Sequence, residues 1–215
     1  MSHSVVNDTD QMTRPPVSAD MDNTTEEVVV VDDEGDLFLK SGNTKFLVAK
    51  KVLTLVSPYF RAMFKPGFTE ASLLSQQDTD KPPTIELFDD STTAVKIVMR
   101  IFHWRDDREY LDLSLDTILE IAKLSDKYDF TRAIQMKSED WLEHANHLNV
   151  PEEKNKRQQK LLEASFLFCN GEYFWKTLDQ LARGQTATDV EEWAPAQCLP
   201  EGLKGASNAP SIFQC

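Results

Sequence analysis

His144 and His147, in the run WLEHANH, lie three residues apart and could offer two imidazoles to one metal ion from a single helix face. No third ligand is spaced to complete the set, and a solvated helix end, where histidine complements the helix dipole, accounts for the pair. The three cysteines, Cys169, Cys198 and Cys215, are widely separated, so the spacing indicates neither a disulfide framework nor a cysteine zinc site, and a reducing compartment is the default. Ser57, Ser91 and Ser114 each have a helix-capping explanation, and no Ser or Cys stands in a glycine-rich elbow. Neither GxGxxG nor GxxxxGK[ST] occurs, which leaves nucleotide binding without support. The residues point to no catalytic, metal or cofactor site, and the reading is not an enzyme. One triplet suits recognition instead. Phe68-Thr69-Glu70 puts an aromatic and an acid on a surface loop, where Phe68 could enter a partner pocket and Glu70 could fix register by hydrogen bonds. The bland alternative folds Phe68 back onto its own helix and leaves Glu70 as a solvated cap.

The elements before that loop are densely specified. Phe46 to Phe64, FLVAKKVLTLVSPYFRAMF, reads as a strand end, a short helix, a Ser-Pro start and a second helix. Ser57 can accept from the free amides of the helix it opens, and Pro58 occupies the first helical position, where its missing N–H costs nothing. Phe60, Met63 and Phe64 then form an apolar stripe at helical spacing. Upstream, Asp36 to Lys40 and Lys45 to Val48 flank a Ser41-Gly42-Asn43-Thr44 turn and predict a β-hairpin, with Leu37 and Leu39 on one face. Downstream, residues 65 to 83 form a long polar connection, Thr84 to Phe88 a third strand, and Asp89, Asp90, Ser91 and Thr92 supply caps for a helix through Phe102. His103 to Leu113 is a charged connection with at most a short strand at Tyr110 to Leu113. Ser114 caps a helix carrying Leu115, Ile118, Leu119 and Ala122 inward, and a further helix runs from Thr131 to about Ala145. Residues 152 to 183 read as a helical hairpin turning at Asn170-Gly171. The basic run Lys154 to Lys160 is best read as a solvated helix face, and Trp104, Trp141 and Trp175 as packing.

The chain has 215 residues, 40% hydrophobic and 27% charged, with a formal charge of -13. That suits one domain of ordinary size with less ordered ends, and it disfavours nucleic acid and anionic membranes as partners. The predicted organisation is a disordered acidic tail over 1–27, a folded domain over 28–147, a helical hairpin over 148–184 and a flexible tail over 185–215. No secretory signal or long apolar run is visible, so the expectation is a soluble protein of cytosol or nucleus.

Gly35-Asp36-Leu37, the run Phe46 to Phe64, Ile85-Glu86-Leu87 with Asp89-Asp90, and Leu119 to Phe130 fall in the order of the BTB/POZ family and resemble its motifs. The long run resembles the family's F-x-V-H-K-x-V-L-x-x-x-S-P-x-F-x-x-M-F signature, departing at Ala49-Lys50, where many members have His-Lys and a polar contact that Ala49 lacks. With an acidic N-terminal tail and a lone BTB domain, the chain resembles fungal members. The resemblance implies an α+β fold, a small mixed sheet flanked by helical hairpins with a C-terminal helical extension. It also implies protein partners, homodimerisation and no chemistry of its own. In members that recruit cullin-3 ubiquitin ligases, a hydrophobic-x-Glu motif follows the F-x-x-M-F helix; Phe68 and Glu70 hold those places, which makes cullin-3 the implied partner. The alternative is a cullin-independent scaffold or a transcription-associated oligomerisation protein.

Overall fold

The computed structural model describes residues 26–67, 81–105, 110, 112–147 and 154–184. Within them a four-stranded mixed sheet lies against a set of helices. The strands are β1 (Glu27–Val30), β2 (Leu37–Ser41), β3 (Thr44–Val48) and β4 (Thr84–Leu87), in the spatial order β1-β3-β2-β4. β2 and β3 form the antiparallel hairpin, with Leu37 opposite Val48 and Ser41 opposite Thr44. Gly42, the first of the two residues between them, has φ +57°, a conformation without strain only for glycine. β4 adds parallel to β2, and β1 adds parallel to β3.

Strand alternation decides what the sheet buries. Leu37, Leu39, Phe46 and Val48 are fully buried, while Phe38, Lys40, Lys45 and Leu47 point to the half-exposed face. Between β1 and β2 the chain turns over Asp32–Gly35, and a Cβ on Gly35 would come within 2.7 Å of Leu47 Cγ. Only a residue without a side chain fits there.

α1 (Lys50–Val56) and α2 (Pro58–Met63) follow β3, and α3 (Thr92–Phe102) follows β4. Of the four cap candidates ahead of α3, Ser91 is used, its hydroxyl accepting the Ala94 amide at 3.3 Å. α4 (Leu115–Lys127) is capped by Ser114 through the Thr117 amide, and it buries Ile118, Leu119, Ile121 and Ala122. Thr131–Ile134 is a 3-10 turn rather than the start of an α-helix, because Ala133 bonds back three residues to Phe130; α5 (Gln135–His147) begins only after it. Tyr110, Asp112 and Leu113 are not part of a strand.

α6 (Lys154–Leu167) and α7 (Gly171–Gly184) form an antiparallel pair, with Asn170 accepting the Tyr173 amide through Oδ1 at 3.1 Å. α6 packs on α4 and joins the main core through Leu161, Ala164 and Phe168, whereas Leu162, Phe174 and Leu181 make a smaller cluster with α7. The basic run is therefore not simply solvated. The Arg157 guanidinium donates to the Ala145 carbonyl and Lys160 pairs with Asp116, both at helix–helix contacts. Cys169 is disulfide-bonded, which the spacing of the cysteines did not anticipate because pairing depends on the fold and not on the separation in sequence. Trp141 is fully buried and donates to the Tyr110 carbonyl at 2.7 Å, but Trp104 is 92% exposed, against the expectation of packing. Among the described residues no helix is long and apolar enough to cross a membrane.

Candidate partner-binding surface

Ser57 organises this surface. Its hydroxyl accepts the Phe60 amide at 3.0 Å, capping α2, and donates to the Tyr128 carbonyl at 2.6 Å, fixing α2 against the end of α4. Phe60 is thereby buried in a stack with the Tyr128 ring, centroids 5.2 Å apart, and with Phe64 at 6.0 Å. Met63 and Phe64 complete the inward stripe as partly buried neighbours of the core. Tyr59 faces the other way, 42% exposed, with its ring edge-on to Tyr128 at 5.2 Å.

Tyr128 connects this helix to the turn after β4. Its hydroxyl donates to Asp90 Oδ2 at 2.5 Å, and Lys127 Nζ reaches Asp90 Oδ1 at 2.9 Å and the Phe88 carbonyl at 2.7 Å. The Asp90 side chain is 6% exposed, so the paired charge stabilises the turn and not a solvated rim. Burial, and after it the Asp90 carboxylate, holds the Tyr128 phenol well above its ordinary pKa. Asp89 takes φ +61°, and the turn leaves Phe88 67% exposed. Two aromatic side chains, Tyr59 and Phe88, thus stand outward beside a locked polar network of Tyr128, Asp90 and Lys127. Aromatic area with fixed hydrogen-bonding groups around it is the material of protein recognition.

The local helix start at Ser57 was readable in the sequence; Tyr59, Phe88 and the Tyr128–Asp90 pair were not singled out. Their one advance signal is the apolar Phe88 set directly before Asp89-Asp90, outside the strand alternation. α2 ends at Phe64, Gly67 follows with φ +109°, and Phe68 and Glu70 lie outside the described residues. A separate cleft of about 700 Å³ lies between α1, α2 and the end of α4, lined by Leu55, Pro58, Arg61, Asp126, Asp129 and Arg132. The Arg61 guanidinium is committed to the Thr54 and Leu55 carbonyls. His144 meets Asp112 at 2.9 Å and His147 lies 3.9 Å from Glu143, both at the surface, and among the described residues no three His, Cys, Asp or Glu side chains converge as metal ligands.

The order hairpin, helix pair, parallel strand and helix hairpin, with the Ser57–Pro58 start tied to the end of α4, is matched by a family model for the BTB/POZ domain over residues 32–145. The chain belongs to the BTB/POZ family. Its BTB domain is a protein-interaction module. No curated protein matches the chain. The BTB match begins after β1 and ends before α6.

His103 replaces the contact that Ala49 was expected to lose. The Ala49 amide donates to His103 Nε2 at 3.0 Å, which requires that nitrogen to be unprotonated, so Nδ1–H is the donor to the Met99 carbonyl at 2.8 Å. The side chain that follows α3 thus caps the start of α1, where Ala49 itself has none to offer.

Proposed function

We propose that the protein is a substrate adaptor that binds cullin-3 and self-associates through its BTB core. The observation that carries the reading is the Phe68-Thr69-Glu70 triplet, which follows the last residue of the F-x-x-M-F helix by four positions. Support comes from the rigid setting of that helix: Ser57 and Tyr128 fix its approach, and Tyr59 and Phe88 leave aromatic area exposed. An exposed aromatic held by a locked turn loses little side-chain entropy on binding, which suits an anchor. α6 packs on α4 and α7 on α6, and this helical extension is the surface that would widen a cullin contact.

Pull-down of purified cullin-3 by the purified protein tests the recruitment. Retention is expected, and no retention leaves a cullin-independent scaffold as the reading. Light scattering on a sizing column tests self-association, where a dimer mass is expected at micromolar concentration and a strict monomer contradicts it.

A further inference from the structure

Among the described residues β1 is an open sheet edge. In its parallel ladder the Glu27 amide donates to Asn43 and the Val31 amide to Leu47, both at 3.0 Å, so the backbone groups of residues 27, 29 and 31 face β3. The alternate residues turn theirs the other way. Val28 and Val30 therefore present their N–H and C=O groups outward, and among the described residues nothing bonds them. Their side chains are 54% and 53% exposed, while Val29 packs against the core. Sheet edges are ordinarily blunted by lysine, proline or a covering segment, and no Lys or Pro stands in this strand.

Trp104 directly precedes Arg105, whose side chain reaches the turn at the far end of that edge. After α3 the amides of Trp104 and Arg105 return to the Ile101 and Arg100 carbonyls, a helix ending whose left-handed position glycine normally fills. Here a tryptophan holds it, at φ +56° and 92% exposed. A bulky side chain there carries backbone strain and an unburied aromatic, and neither helps the fold. Arg105 Nη2 lies 3.6 Å from Asp33, so the residue that follows this tryptophan reaches the turn that leaves β1. That turn carries Asp32, Asp33, Glu34 and Asp36, and among the described residues Arg105 is the cation paired with it. At the other end, by contrast, Glu26 is matched by Lys40 at 3.1 Å and Lys45 at 2.7 Å.

We propose that the β1 edge and Trp104 form a docking site for an extended segment of a partner protein, added as a strand, with apolar residues beside Val28 and Val30 and Lys or Arg at the end meeting Trp104 and the Asp32–Asp36 turn. Backbone pairing supplies the affinity and the charge sets the orientation. Trp104 offers an open ring face to the cation. In a second copy paired antiparallel about Val29, Glu26 would stand opposite Asp32 of the copy, whereas a basic segment meets the acidic turn favourably. The site uses neither Phe68 nor Glu70, so its failure and the failure of the cullin reading are told apart by separate variants.

The test uses the full chain and two labelled peptides read by fluorescence anisotropy, Lys-Arg-Val-Thr-Val-Thr-Val and its Glu-Glu-Val-Thr-Val-Thr-Val counterpart. The basic peptide is expected to bind and the acidic one not. Trp104→Gly relieves the strained position, so it is expected to keep or raise the melting temperature while weakening the basic peptide about tenfold. Asp33→Lys with Glu34→Lys, at exposed positions, is expected to reverse the preference between peptides. The proposal is overturned if both peptides bind alike, if neither binds at about 1 mM, or if both variants bind as the wild type does. It is also overturned if Val28→Asp with Val30→Asp lowers the mass by light scattering and leaves peptide binding unchanged, which would give the edge to a second copy.

Discussion

One hydroxyl, that of Ser57, caps α2 through the Phe60 amide and at the same time donates to the Tyr128 carbonyl at 2.6 Å, joining positions 71 residues apart. Ser57 is fully buried, so neither bond can be replaced by water. Ser57→Ala is expected to destabilise the domain by about 3 kcal/mol, combining a lost cap with a buried carbonyl left unpaired. Urea unfolding checks this: the midpoint falls while the slope stays the same.

Tyr128 gives the alkaline limb of stability. Its folded pKa lies above the ordinary value because burial and Asp90 both oppose the phenolate. The stabilisation is therefore fully present below the unfolded tyrosine pKa, near 10, and is lost as pH rises beyond it. Tyr128→Phe is expected to cost about 2 kcal/mol at neutral pH, since Asp90 loses a donor while remaining buried, and to flatten the alkaline decline. Melting temperatures of both proteins across the alkaline range measure the difference.

The acid limb acts on β1. Hydrogen bonds from Lys45 and then Lys40 hold the Glu26 carboxyl below its ordinary pKa. Its contribution is present above the unfolded value and is lost as pH falls through the lowered folded one. Protection of the Val29 and Val31 amides, corrected for intrinsic exchange, is expected to fall across that window in the wild type. Glu26→Gln is expected to show the lower protection already at neutral pH, with no further acid step.

What the sequence made legible was local chemistry. Ser57-Pro58, Ser91 and Ser114 announce helix starts because a cap needs only three or four consecutive residues, and Leu37 with Leu39 shares a face because strand geometry demands it. The family motifs are built from these same residues, which is why the fold could be named. The pairing of β1 with β3 has no local signal, since a parallel neighbour 17 residues away is fixed by the whole sheet. The Arg157–Ala145 and Lys160–Asp116 contacts, the outward turn of Trp104 and the Tyr128–Asp90 hydrogen bond are likewise set by tertiary contacts. Of the surface proposed for binding, the sequence offered Phe68 and Glu70; Tyr59 and Phe88 emerged only once the fold had sorted buried aromatics from exposed ones.

The central claim is that this BTB protein recruits cullin-3 through the residues just past α2. Calorimetric titration of cullin-3 into the wild type and into Phe68→Ala with Glu70→Lys tests it most directly. Loss of the aromatic anchor alone is expected to remove about 2 kcal/mol, roughly thirtyfold in Kd, with the charge reversal adding to it and the melting temperature unchanged. Equal affinity of the two proteins for cullin-3, or no binding by the wild type, contradicts the account.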